Sequence, residues 1–136
     1  MKGVEIGDGF KAATSFGSQV MDEIDWNKDD GFFRNTDHLG GFEGGMTNGM
    51  PIIVKAAMKP IPTLYKPLQS VDVNTKAVKK ANVERSDTTA IVPASIVIES
   101  VVAIELAKAL TDKFDADNVS RLQEQVAAYR DEIKHY

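Results

Sequence analysis

The chain has 136 residues, 43% hydrophobic and 26% charged, with a formal net charge of −4. That is the composition of one ordinary globular domain, and the acidic balance offers no field for nucleic acid. Cysteine is absent, which excludes disulfides, thiol nucleophiles, zinc–thiolate sites and iron–sulfur clusters. His38 and His135 have no ligand-like spacing, no run is long enough to span a membrane, and Met1-Lys2-Gly3-Val4-Glu5 lacks the apolar core of a signal peptide. A cytoplasmic protein of one domain, with neither nucleic acid nor membrane as partner, is the expectation.

Val4 to Phe10 reads as a short strand punctuated by Gly3, Gly7 and Gly9. From Lys11 to Ile24 the apolar spacing predicts a short amphipathic helix, weakened by Gly17. Asp22 to His38 is polar around Trp26 and reads as a long loop, with 25–41 expected to be mobile. A glycine run follows, Gly40-Gly41-Phe42-Glu43-Gly44-Gly45-Met46-Thr47-Asn48-Gly49. Residues 50 to 59 alternate as a strand, with Ile52, Val54, Ala56 and Met58 on one side and Lys55 and Lys59 on the other. Residues 69 to 74 suggest another strand, with 75 to 83 as its hairpin partner. Two helices end the chain. The first, about 94 to 114, is apolar around almost its whole circumference and is expected to be buried on all sides. The second, about 118 to 135, carries a one-sided stripe of Val119, Leu122, Val126, Tyr129 and Ile133, with Asp117 or Asn118 as N-cap.

Three segments carry chemistry. Half of the chain's ten glycines lie in residues 40–49, where bare backbone suits close approach to a flat or phosphorylated ligand. A flexible hairpin connection explains the same run, which fits neither a dinucleotide fingerprint nor a Walker loop. In Lys59-Pro60-Ile61-Pro62-Thr63 each proline fixes φ and removes a donor. The amides of Lys59, Ile61 and Thr63 remain, on a stiff backbone able to meet a heteroaromatic edge. A strand terminator or a Pro-rich docking peptide are the plainer readings. In Glu84-Arg85-Ser86-Asp87-Thr88-Thr89, Arg85 is a fork for phosphate or carboxylate and Asp87 a candidate proton acceptor; a surface ion pair is the alternative. Composition and spacing thus lead to a layered α/β ligand-binding domain, with a phosphorylated compound as a candidate ligand and no complete catalytic constellation.

In order, these motifs resemble chorismate synthase, specifically its C-terminal portion. The likeness is carried by Lys2-Gly3-Val4-Glu5-Ile6-Gly7-Asp8-Gly9-Phe10, the glycine run, Lys59 to Thr63, Arg85-Ser86-Asp87-Thr88-Thr89 and Ala103 to Leu110, and covers essentially the whole chain. The resemblance implies an α+β fold, part of a β-α-β sandwich with helices packed on antiparallel sheet, in a cytoplasmic homotetramer. It implies a lyase of the shikimate pathway, in aromatic amino acid biosynthesis, that eliminates phosphate from 5-enolpyruvylshikimate 3-phosphate to give chorismate. Reduced FMN is the implied cofactor, and whether NADP-dependent flavin reduction is intrinsic stays open. By the same resemblance Gly44, Lys59, Pro60, Ile61, Pro62, Thr63 and Arg85 contact FMN, and Asp87 assists proton removal. The family's N-terminal part, with two catalytic histidines, basic substrate-holding residues and an Arg-Ser-Ser-type flavin segment, is not among these residues. The isolated chain is therefore expected to be inactive, and a catalytically inert assembly module is the competing expectation.

Overall fold

The end of the first strand and the glycine run meet backbone to backbone. A computed structural model describes residues 1–136 and divides them into two compact units, Met1–Ala57 with Ile104–Tyr136, and Met58–Ala103. The first unit begins with β1 (Gly3–Ile6), a single turn of helix α1 (Gly9–Ala12) and a 3-10 turn (Gly17–Gln19). Two hairpins follow, β2 (Ile24–Asn27) with β3 (Gly31–Arg34) and β4 (Phe42–Glu43) with β5 (Met46–Thr47). Strand β6 (Val54–Ala57) returns to pair antiparallel with β1, placing Val4 opposite Ala56 and Ile6 opposite Val54. The second unit holds the hairpin β7 (Gln69–Val71) and β8 (Val78–Lys80). Helix α2 (Ile91–Lys113) starts in the second unit and ends in the first, and α3 (Val119–Lys134) closes the chain. The class is α+β, with every strand pair antiparallel.

The alternation expected at residues 50–59 survives in β6, where Val54 and Ala56 are half-buried and Lys55 and Ala57 exposed. The strand is shorter than expected, and Lys59 lies two residues past its end. The helix expected from Lys11 to Ile24 is not formed beyond Ala12. Past Ala12 the amides turn to i→i−3 partners, Ala13 to the Phe10 carbonyl at 3.3 Å, Thr14 to Lys11 at 3.0 Å and Ser15 to Ala12 at 3.5 Å. Gly17 then opens a 3-10 turn.

The loop expected across 24–34 is instead a β-hairpin. Asn27 Oδ1 accepts from the Asp29 and Asp30 amides at 2.9 and 2.7 Å, closing an Asx turn, and Gly31 supplies φ +75°. Trp26 and Phe32 sit directly opposite, a cross-strand aromatic pair.

Helix α2 differs from expectation in its surroundings. It has no buried residue, and Ile96, Val97, Val101 and Ile104 are each more than half exposed. A helix apolar on every side needs cover on every side, and these 136 residues do not supply it. At its C-terminal end it does find a partner. Phe114 meets Tyr129 of α3 edge-on with centroids 5.6 Å apart, and the Lys113 ammonium lies 3.6 Å from the Tyr129 ring centre. Asn118 caps α3 by accepting from the Arg121 amide at 2.9 Å.

Apolar burial is sparse throughout. Val20 is the buried hydrophobic side chain, and the chain exposes 11154 Å². A folded monomer of this mass exposes roughly 7,000 Å². No helix is long and apolar enough to cross a membrane.

Where β1, the glycine run and the lead-in to β6 meet, three glycines have no room for a side chain. A Cβ on Gly7 would strike the His38 carbonyl oxygen and the Gly40 amide, one on Gly40 would strike the Gly7 amide, and one on Gly41 would lie 2.7 Å from the Pro51 carbonyl oxygen. All three have positive φ. Gly44 is different. It also has positive φ, +58°, but a Cβ there meets nothing within 4 Å. Gly40→Ala should therefore destabilise the first unit by roughly 3 kcal/mol or more, whereas Gly44→Ala should cost only the left-handed backbone penalty, about 1–2 kcal/mol. Urea unfolding followed by the β4–β5 amide signals separates the two; equal losses would contradict the packing.

Candidate functional site

The glycine run is held by carboxylates. Asp22, 7% exposed, accepts from the Thr36 hydroxyl at 2.6 Å and from the amides of His38 and Leu39 at 2.8 and 2.9 Å. Burial pushes its carboxyl up, but the Thr36, Leu39 and His38 donors together outweigh this and hold it below the usual range. Asp37 Oδ1 accepts from the Gly41 amide at 2.8 Å, while its Oδ2 is buried without a partner.

A second set of charges joins the run to β1 and β6. Asp8 contacts His38 Nδ1 at 2.9 Å and the Lys55 and Lys11 ammonium groups at 3.2 Å each. These contacts, His38 first, hold the Asp8 carboxyl well below the usual range. Lys55 also donates to the Gly7 carbonyl at 2.8 Å and faces Glu5 at 3.5 Å. Its ammonium is raised, chiefly by the Asp8 hydrogen bond.

At the tip, Gly44 and Gly45 take φ +58° and +79°, as a two-residue hairpin turn between β4 and β5 requires. Glu43, the residue before it, accepts on one oxygen from Arg34 Nε at 2.9 Å, Arg34 Nη2 at 2.7 Å and Asn48 Nδ2 at 2.8 Å. Asn48 and then Arg34 lower its carboxyl.

The glycine run thus divides in two. Gly40 and Gly41 make their close approach to the chain itself, whereas Gly44 leaves its backbone beside open space. Gly45 and Gly49 are open in the same way as Gly44.

The other sequence candidates belong to the second unit. Lys59, Pro60, Ile61, Pro62 and Thr63 form an irregular segment outside any strand, with Ile61 and Thr63 half-buried and the rest exposed. The amides of Lys59, Ile61 and Thr63 have no hydrogen-bond partner within the chain. Arg85 and Asp87 are exposed, and neither makes an ion pair or a side-chain hydrogen bond. The surface ion pair considered for Arg85 with Asp87 is not formed. No hydrogen bond links 59–63 to Arg85 or Asp87. No cluster of His, Asp or Glu could hold a metal ion.

Sequence reasoning missed Asp22, Arg34, Glu43 and Asn48 as supports, and Asp8, His38 and Lys55 as a joined cluster. Their contacts bridge up to 48 residues, a separation that no local pattern reports.

These features describe an α+β segment with little core of its own and a braced glycine turn. The chorismate synthase family model matches residues 1–111. The chain is 74% identical over all its 136 residues to a chorismate synthase of Lactiplantibacillus plantarum and 70% identical to one of Limosilactobacillus fermentum, covering 35% of each. A crystal structure of a chorismate synthase superposes with a TM-score of 0.78 at 42% identity, over 99% of this chain and 33% of that one. The chain belongs to the chorismate synthase family. It spans about a third of the length of the curated relatives it matches.

Asp22 gives a pH-dependent test. Its folded pKa is lowered, so its contribution is complete above the ordinary aspartate value, about 3.9, and is lost as the pH falls toward the folded value. Asp22→Asn should lose roughly 1–3 kcal/mol at neutral pH, because Asn replaces one accepting oxygen with an NH2 donor. The variant should also lack this part of the acid limb. Exchange rates of the His38 and Leu39 amides between pH 3 and 7 report both effects; an unchanged acid limb would exclude the Asp22 clasp.

Proposed function

We propose that this chain is the FMN-binding C-terminal portion of a chorismate synthase, the enzyme that eliminates phosphate from 5-enolpyruvylshikimate 3-phosphate to give chorismate. The observation that carries this reading is the Lys59–Thr63 segment. Two prolines stiffen it, and its remaining amides have no partner within the chain. Such a segment suits the polar edge of a flavin ring system. The unpaired guanidinium of Arg85 suits its phosphate or the anionic groups of the substrate. Gly44 offers bare backbone beside open space.

The residues present therefore fit the group. Reduced FMN, when bound, supplies electron density transiently as phosphate leaves, with no net redox change. The work of this chain is to bind and orient. Lys59 to Thr63 fix the ring edge through backbone amides, Arg85 holds an anion by a charge-assisted fork, and an Asp87 Oδ atom accepts the proton that the substrate loses. The parent enzyme of this reading is a cytoplasmic homotetramer.

A second reading, a catalytically inert assembly module, draws on the bare apolar surface of α2. Light scattering on the eluting chain, paired with an FMN titration, discriminates. Stable self-association without FMN affinity favours the module.

For the first reading, the isolated chain should bind FMN weakly and Arg85→Ala should weaken it further, by about tenfold for the loss of one charge-assisted contact of about 1.5 kcal/mol. Fluorescence titration of FMN with both proteins measures this. The chain alone should release no phosphate from 5-enolpyruvylshikimate 3-phosphate; measurable turnover would refute its status as an incomplete enzyme.

A further inference from the structure

The β4–β5 hairpin pairs only two residues on each strand, too few to hold one orientation in water by their own ladder. Its two-glycine tip adds backbone freedom rather than stiffness. Yet the tip is the part that offers its backbone outward. What holds it lies just below. Glu43 gathers two N–H groups of Arg34 from β3 and one of Asn48 from beyond β5. Asn48 is itself fixed on both sides. Its amide donates to the Gly41 carbonyl at 3.1 Å, and its Oδ1 accepts from the Met50 amide at 3.0 Å. The Arg34 side chain is only 16% exposed and that of Glu43 31%, so water competes weakly for the pair.

We infer that Glu43 is a positioning residue for the flavin site: clamped between Arg34 and Asn48, it sets the Gly44–Gly45 turn in the orientation that presents the Gly44 backbone to FMN. This rests on the FMN reading above. Glu43 touches no ligand itself. Its action passes through the adjacent peptide unit, and Arg34 and Asn48 act through Glu43. Neutralising Glu43 removes the charge from all three bonds and turns an amide nitrogen toward donors.

The test uses a full-length protein in which these 136 residues replace the matching segment of the Lactiplantibacillus plantarum relative, loaded with FMN. Glu43→Gln should raise the FMN Kd about tenfold and move the bound-flavin absorption toward that of FMN in water, with the unfolding midpoint little changed. Arg34→Gln should do the same, and Arg34→Gln with Glu43→Gln should lose no more than either alone, as members of one clamp behave. Arg85→Ala is the control for the underlying reading. If it weakens FMN while Glu43→Gln leaves both affinity and spectrum unchanged, the positioning role is overturned and the FMN reading stands. If Arg85→Ala and Glu43→Gln both leave affinity unchanged, the FMN reading falls and the inference with it. Should Glu43→Gln fail to fold, Arg34→Lys keeps the charge, loses the fork and carries the same readouts.

Discussion

The contact between Gly7 and Gly40 sets the geometry of the first unit. Two backbones can approach this closely only where neither residue carries a Cβ. The approach is then fastened on both sides: Gly7 donates to the Ile53 carbonyl at 2.9 Å, Asp8 to the His38 carbonyl at 2.7 Å, and Ile53 to the Gly40 carbonyl at 3.3 Å. β1, the glycine run and the lead-in to β6 are thereby tied at one point. The outward-facing Gly44 turn takes its place from this knot.

Charge supplies what apolar burial does not. With Val20 as the buried hydrophobic side chain, the loop from 20 to 49 has little core to rest on. Asp22, Asp37 and Glu43 instead satisfy donors along it, at residues 36 to 41 and at the base of the hairpin. A carboxylate is well suited to this, because it accepts from several directions and gains from each N–H it meets. The arrangement fixes local geometry without fixing global stability. The sides of α2 stay bare and the exposed area stays large within these residues.

What could be read in the sequence follows the range of the interactions. The strand alternation around Val54, the β7–β8 hairpin, the α3 stripe and the Asn118 cap are local, with periods of two or 3.6 residues, and appear as expected. The β2–β3 hairpin was hidden because Ile24-Asp25-Trp26 and Phe32-Phe33-Arg34 are too short to declare a period and the Asx turn between them reads as loop. After Ala12 the backbone closes i→i−3 turns at Ala13, Thr14 and Ser15 and Gly17 opens a 3-10 turn, so the apolar spacing of 11–24 is not carried by an α-helix. The solvent-exposed state of α2 could not be read, because an apolar circumference states what a helix requires and not whether the same chain provides it. For the candidate site, the unpaired amides of 59–63 were legible because proline acts locally. The carboxylate supports were not, because Asp22 finds its donors, and Asp8 its His38 and Lys55 partners, only after the chain has turned back.

The two kinds of glycine in one ten-residue run carry a further lesson about function. Gly40 and Gly41 are required by packing, and the sequence alone assigns them to a ligand with equal ease. Gly44 is required by its turn, yet the same turn leaves one side of its backbone beside empty space. A glycine cluster therefore separates into members fixed by packing and members left open only when the neighbours of an imagined Cβ are known. Where those neighbours are protein, glycine serves the fold. Where there are none and the turn beneath is braced by a charged clamp, the fold has stabilised an exposed backbone that its own core does not use, which is the condition a binding surface must meet.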